Sequence, residues 1–423
     1  MYEMRLAVPV RLLCTKPGKV VGNEFNKLID HYSKFNPSPL SIKQFLDFGE
    51  RANPAESFAF LRKEVPVRLA NIMKEIELLP PQLLKMPSVR LVTSWYQRSF
   101  MEIAEFDKLH KGTPTDSVLS DFTDTLTRVR NRHNTVVQTM AEGVLELKQQ
   151  HKSDVSSEHT IQYFLDRFYM SRISIRMLIN QHTSLFGVQE RPAGNGRQVG
   201  VIDPHCDITS VCLDAYENAK FLCDQYYLTS PNMILKCIPE EPRIRIVYVP
   251  SHLYHILFEL LKNAMRAVVE HHGTEADLPD LRVLIVEGKE DITIKLSDLG
   301  GGIPRSASDL LFQYMYSTAP EPSSTNSAPL AGYGYGLPIS RLYAKYLHGD
   351  LTVTSMEGYG TDAHVFIKAI SKDSHEKLPI FNKTSSKHYN MVIGSNDWSS
   401  PISGERKILS SGIIEKIRSI PCA

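Results

Sequence analysis

The sequence predicts a two-domain α + α/β protein: an antiparallel helical bundle, then an α/β sandwich with a mixed sheet and helices on one face. Three observations predict it. From about Phe25 to Leu185 the apolar residues recur at helical spacing. Arg191-Pro-Ala-Gly-Asn-Gly-Arg197 then breaks the pattern as a linker does. Beyond it, strand-like and helix-like segments alternate. A chain of 423 residues also exceeds one ordinary core.

The bundle's segments are Pro39 to Leu46, Val67 to Ile76, a longer pattern from Leu119 through Leu147, and Thr160 through Leu185. Leu79-Pro-Pro81 and Lys111-Gly-Thr-Pro114 break them apart, as expected of antiparallel neighbours. After the linker, Arg243-Ile-Arg-Ile-Val-Tyr-Val-Pro250 reads as a strand, and a helix follows. Leu281–Glu287 and Ile292–Ser297 flank Gly288-Lys-Glu-Asp291 and predict a hairpin. Ile339 to Leu347 predicts a helix with Gly349 as its C-terminal cap. Leu351–Ser355 and Ala363–Ile370 are the last two strands. Pro320 to Pro329 is polar and proline-rich, which predicts a mobile loop. The expected boundaries are 1–24 for a candidate transit segment, 25–190 for the bundle, 198–378 for the sandwich and 379–423 for a tail.

Composition excludes several classes. Hydrophobic content of 42% and charged content of 22% are those of a soluble globular chain. With 48 basic and 47 acidic residues there is no electrostatic footprint for nucleic acid. No apolar run reaches membrane-spanning length. The six cysteines show no close metal or redox spacing and read as free thiols of a reducing compartment. The N-terminus carries Arg5, Arg11, Lys16 and Lys19, like a short organelle transit segment, but also Glu3 and no serine, so composition leaves targeting open.

The helix around His255-Ile-Leu-Phe-Glu-Leu-Leu-Lys-Asn-Ala-Met-Arg266 carries two stripes. Leu253, Ile256, Leu257, Leu260, Leu261, Ala264 and Val268 form an apolar face. His255, Glu259, Lys262, Asn263 and Arg266 fall on the opposite face, a stripe that is usually just solvated. Two glycine clusters follow it. Asp298-Leu-Gly-Gly-Gly302 ends a strand, where Asp298 can accept a bond from an exocyclic amine and Gly300 and Gly302 allow close backbone approach. Gly332-Tyr-Gly-Tyr-Gly336 precedes a helix whose positive end suits phosphate. Its spacing is neither a dinucleotide fingerprint nor a Walker loop. Asn263 can then serve a magnesium ion, and Lys262 and Arg266 can offset phosphate charge. Glu259 can take a proton from an attacking hydroxyl, and His255 can tune it through a hydrogen bond.

This constellation resembles the Bergerat-type (GHKL) ATPases: histidine kinases, heat-shock chaperones, type II topoisomerases and MutL proteins. Within them, Phe258 to Ala267, Met315-Tyr-Ser-Thr-Ala-Pro320, Gly332 to Lys345, Gly358-Tyr-Gly-Thr-Asp362 and the helical Phe164 to Met177 are similar to the mitochondrial pyruvate dehydrogenase kinases. The likeness runs from about Tyr32 to Trp398. It implies an ATP-dependent serine kinase acting on the E1α subunit of the pyruvate dehydrogenase complex, in the mitochondrial matrix, and inactivating it. Glu259 would be the general base, polarised by His255. Asn263 would bind Mg²⁺, and K⁺ is a further candidate ion. Lys262, Arg266, Asp298, Gly300, Gly302, Ser317, Thr318, Gly332, Tyr333, Gly334, Tyr335, Gly336, Leu337 and Thr361 would surround the nucleotide. The chain has no His-Arg-Asp loop of eukaryotic protein kinases.

The resemblance also implies a regulatory pocket for a small carboxylate such as pyruvate. Arg172 would be its chief ion partner, with Tyr96, Ser99, Arg130, His133, Ser171 and Arg176 nearby; Arg suits a carboxylate through its planar fork. His133 sits where bacterial relatives carry a phosphoacceptor, but packing or hydrogen bonding is the plainer expectation. Asp397 and Trp398 match a tail pair that crosses to the partner of a homodimer and helps to capture the E2 lipoyl domain. A branched-chain 2-oxoacid dehydrogenase kinase, a non-catalytic adaptor that binds ATP and docks lipoyl domains, and a chaperone or mismatch-repair ATPase are the competing readings.

Overall fold

A computed structural model describes residues 19–109, 112–151, 159–187, 198–240, 243–274, 277–317, 334–370 and 372–389. The expected transit segment (largely), the linker at 191–197, the loop at 320–329, Thr318, Gly332, Tyr333, Asp397 and Trp398 lie outside the described residues.

The first half is helical: α1 (Lys19–Tyr32), α2 (Ile42–Arg51), α3 (Pro54–Ile76), α4 (Pro81–Leu84), α5 (Pro87–Leu109), α6 (Asp116–Arg132), α7 (Val136–His151) and α8 (His159–Phe186). A capping box sets the start of α2: Ser41 accepts from the Gln44 N–H and the Gln44 side chain accepts in return. Two expectations change. The helix predicted from Val67 begins at Pro54 under an Asn53 cap and runs straight through Pro66, because most of its residues are buried by neighbours. The pattern predicted from Leu119 through Leu147 is two helices, with His133 closing the first. At the centre α8 buries Phe164, Leu165, Phe168 and Tyr169.

The second half comprises β1 (Asp203–Asp207), α9 (Ile208–Tyr227), β2 (Met233–Ile238), β3 (Arg245–Tyr248), α10 (Pro250–His272), β4 (Leu281–Glu287), β5 (Asp291–Asp298), α11 (Arg305–Ser308), α12 (Gly336–Tyr346), β6 (Asp350–Met356), β7 (Gly360–Lys368) and α13 (Lys383–His388). The main sheet has the order β2-β4-β5-β7-β6; β2 and β4 are parallel and the other pairs antiparallel. The strand predicted at 243–250 pairs with β1 in a separate two-stranded sheet. Alternation along the main sheet gives it two unlike faces. Val283, Ile285, Ile292, Ile294, Leu296, Val365 and Ile367 are buried; helix α10 contacts β5, and α12 contacts β6 and β7. The intervening Arg282, Leu284, Lys295, His364 and Phe366 stay partly or fully accessible. At the cap expected at Gly349, α12 ends at Tyr346 and the Gly349 N–H donates to the Ala344 carbonyl at 3.0 Å, while the left-handed residue is His348, with φ 62°.

Beyond β7 the chain returns to the bundle. The Leu40 N–H donates to Glu376 Oε2 at 3.0 Å and the Glu376 N–H to the Leu40 carbonyl at 2.9 Å. Arg68 of α3 donates to Glu376 at 2.7 and 2.8 Å and to Glu64 at 2.8 Å, and Tyr346 of α12 donates to Glu376 as well. All four side chains are buried. One cluster therefore joins bundle, sandwich and the returning segment.

Candidate active site

Helix α10 supplies one wall of the site. All seven residues predicted for its apolar face are buried. From the opposite stripe Glu259, Asn263 and Arg266 open onto a cleft of about 560 Å³, within the range of small-ligand sites, whereas His255 and Lys262 of the stripe, and Asp298 and Thr361, are not among the residues that line it. Glu259, Asn263, Arg266, Gly300, Gly302, Ser317, Gly334, Gly336 and Leu337 line this cleft together. Residues from three distant parts of the sequence thus meet at one place.

Two glycines make the closure. Gly302 has φ +70°, and a Cβ there would lie 1.9 Å from the Met356 carbonyl oxygen. Gly336 is the first residue of α12, and a Cβ on it would lie 2.5 Å from Glu259 Oε2. The carboxylate of Glu259 therefore rests against the amino end of α12. Among the described residues no side chain caps that end, which leaves the N–H groups of its first turn for the oxygens of a ligand. Glu259 is also paired with Lys262 at 2.8 Å, and Lys262 lies over the Phe258 ring. Arg266 pairs with Glu270 at 3.3 Å.

Asp298 ends β5 opposite Thr361 of β7. Its Oδ1 accepts the Gly300 N–H at 2.9 Å. Burial pushes its carboxyl up to about 6, against the backbone N–H groups of Gly300 and Thr361 that hold it down. Thr361 Oγ1 lies 2.9 Å from Ser355 Oγ, which accepts the Ile303 N–H at 2.7 Å. An amine that donates to Asp298 binds its ionised form. Affinity for an adenine nucleotide is thus expected to fall as pH drops through about 6 and to hold above it. Calorimetric titration of ATP between acidic and neutral pH checks this, with Asp298→Asn losing the pH step.

His255 differs from expectation. No hydrogen bond joins it to Glu259, and its Nε2 is buried without a partner. Its ring packs on Tyr343 instead, with centroids 4.8 Å apart. Burial holds the imidazole below its ordinary range, with Glu259 opposing and Lys262 and Arg172 adding to the effect.

Among the described residues no group of three or more His, Cys, Asp or Glu could hold a metal. A divalent ion in the cleft would rest on Asn263, phosphate oxygens and water, which fits magnesium's preference for few protein ligands. The cleft also involves Ala267, Glu270, His271, Pro304, Leu311 and Tyr316, which the sequence reading missed. Glu270 was within reach of it, one helical turn beyond Arg266 on the same stripe. Tyr314 anchors the segment ahead of Ser317: its N–H donates to Gln162 and its hydroxyl to Asp166, both at 2.8 Å. Tyr335 packs on Tyr314 and Tyr169, at 5.2 and 5.8 Å.

A second, much smaller cavity lies within the bundle. Tyr96, Arg130, His133, Arg172 and Arg176 line it, and it holds about 10 Å³, room for a water. Arg172 Nε and Tyr96 Oη are buried there without partners. Arg172 donates to the His133 carbonyl at 3.2 Å. Ser99 bonds His133 Nε2 at 3.0 Å and accepts from Arg132 at 2.8 Å. Burial, then the charge of Arg172, holds His133 down to about 3, so the ring is neutral. Ser171 is buried nearby on α8.

Both halves of the chain match known families. Residues 39–203 match the family described as mitochondrial branched-chain alpha-ketoacid dehydrogenase kinase. Residues 248–370 match the histidine kinase-, DNA gyrase B- and HSP90-like ATPases. Over 397 residues the chain is 58% identical to the mitochondrial pyruvate dehydrogenase (acetyl-transferring) kinase of Drosophila melanogaster, covering 92% of this chain and 95% of that one. Isozyme 4 of the Homo sapiens enzyme is 55% identical over 381 residues, covering 88% and 91%. Human isozyme 1 is 54% identical over 381 residues, covering 88% and 87%. With an ATPase-type cleft on the sandwich, a kinase-type bundle before it and full-length likeness to these enzymes, the chain belongs to the mitochondrial pyruvate dehydrogenase kinase family.

Proposed function

We propose that the chain phosphorylates serine on the E1α subunit of the pyruvate dehydrogenase complex in the mitochondrial matrix, and so inactivates the complex. The observation that carries this reading is the seating of Glu259 against the amino end of α12, in the cleft that Asn263 also lines. ATP phosphates lie at that helix end, and the adenine meets Asp298 and Thr361. Glu259 accepts the proton of the serine hydroxyl as it attacks. Lys262 and Arg266 offset charge on the transferring group. Asn263 would hold a magnesium ion at this place, and the ion would supply positive charge to offset that of the phosphates.

The acceptor is a substrate serine and not His133. His133 is 3% exposed and its Nε2 is engaged by Ser99. Incubation with labelled ATP and purified pyruvate dehydrogenase complex is expected to give acid-stable label on E1α. Acid-labile label on the kinase itself would contradict the reading.

Partners follow from the same reading. Unpartnered Arg172 Nε and Tyr96 Oη support a carboxylate such as pyruvate in the bundle cavity, which must widen to admit it. An apolar cavity of about 270 Å³, lined by Leu40, Phe45, Phe48, Phe60, Leu61 and Leu178, supports docking of an E2 lipoyl arm on the bundle. The accessible sheet face, with Leu284 and Phe366, and Ile234 and Ile238 exposed on edge strand β2, supports a homodimer. Among the described residues no helix is long and apolar enough to cross a membrane. The branched-chain reading is kept as the alternative because the family matched over residues 39–203 bears that name.

A further inference from the structure

Three residues of one bundle helix hold the chain at the edge of the nucleotide cleft, and none has a part in the chemistry above. Gln162, Asp166 and Tyr169 of α8 follow at i, i+4 and i+7, so they share a helix face. The Gln162 amide engages both backbone groups of Tyr314. Its Oε1 accepts the Tyr314 N–H at 2.8 Å, and its Nε2 donates to the Tyr314 carbonyl at 3.3 Å. The Tyr314 hydroxyl donates to Asp166 Oδ1 at 2.8 Å. The Tyr169 ring packs on Tyr314 at 5.5 Å and on Tyr335 at 5.8 Å, and those two rings lie 5.2 Å apart. All three tyrosines are buried. The residues held this way border the cleft. Tyr316 and Ser317, just beyond Tyr314, line it, and so do Gly334 and Gly336 on either side of Tyr335. The two stretches also meet: Gly334 has φ +77°, and a Cβ on it would lie 2.5 Å from the Tyr316 carbonyl oxygen. Between Tyr314 and Tyr316, Met315 has φ 67°, a left-handed conformation that such a residue keeps only where its surroundings fix it.

We propose that Gln162, Asp166 and Tyr169 are positioning residues for ATP: the bundle holds Tyr314 and Tyr335, and through them the two stretches that grip the nucleotide. The proposal rests on the reading of this cleft as the ATP site. Order already present in the free protein is not lost again on binding, so the clamp acts on affinity and not on the transfer step. A carboxamide suits position 162, because it donates to a carbonyl and accepts from an N–H at once.

The test joins calorimetric ATP binding to steady-state phosphorylation of E1α, in the full-length protein. Gln162→Met keeps the length of the side chain and loses both bonds to Tyr314. Asp166→Ala removes the acceptor of the Tyr314 hydroxyl. Each is expected to raise Kd and KM for ATP about tenfold, with kcat at saturating ATP and KM for E1α within about twofold of the parent. Asp166→Asn keeps an acceptor oxygen and is expected to restore the parent's ATP affinity. That rescue and the split between KM and kcat separate positioning from a general loosening of the fold. Parental ATP affinity in both Gln162→Met and Asp166→Ala overturns the proposal, as does a kcat that falls in step with affinity. Asp298→Ala is run in parallel. If it weakens ATP binding while the α8 variants do not, the proposal fails alone; if none of the three alters ATP binding, the reading of the cleft falls and the proposal with it.

Discussion

Glu259→Gln is expected to slow phosphoryl transfer by about 10²–10⁴-fold while ATP still binds. The substitution keeps shape and removes the proton acceptor. Glu259 is mostly shielded, lies against the first residue of α12 and shares the cleft with Asn263. Its loss also frees Lys262, now 2.8 Å away, to turn toward phosphate, so nucleotide affinity holds or rises slightly. Single-turnover transfer measured beside calorimetric ATP binding separates the two effects. Equal loss of binding and rate would mean that Glu259 serves the nucleotide and not the proton.

The largest stability effect is expected at Glu376. Glu376→Ala should destabilise the fold by about 3–5 kcal/mol, because it strands the buried Arg68 guanidinium with only Glu64 as a charged partner. Burial opposes the charge on Arg68, and Glu376 and Glu64 together more than offset it. The change also removes the acceptor for Tyr346 and for the Leu40 N–H, so bundle, α12 and returning segment loosen together. Denaturant unfolding measures the loss. Arg68→Met combined with Glu376→Leu should recover much of it, since no buried charge is then left unpaired. A single Glu376→Ala variant as stable as the parent would show that the cluster is not what joins these parts.

The physics explains which features were legible. The stripe of α10 was, because a period of 3.6 residues places polar and apolar residues on opposite faces whatever they later touch. The β4–β5 hairpin was, because alternation and a four-residue polar break are local signals. Residues 203–238 were passed over. Asp203-Pro-His-Cys-Asp207 has no alternation to read, and β2 is an edge strand with modest burial. The turn at His133 was hidden because the helical pattern resumes on the far side. The Arg68–Glu376 pair spans 308 positions, so nothing local announces it. The roles around His255 were half legible. Spacing put His255 one turn from Glu259, but only packing shows that Tyr343, from another helix, is what its ring meets.

The most direct test compares two substrates. Purified pyruvate dehydrogenase E1α and branched-chain 2-oxoacid dehydrogenase E1α are each given labelled ATP, magnesium and the full-length protein, and the rates of serine labelling are measured side by side. Fast labelling of the pyruvate enzyme and little or none of the branched-chain enzyme is the predicted result. Preferential labelling of branched-chain E1α, or no transfer to either while ATP is bound, would contradict it.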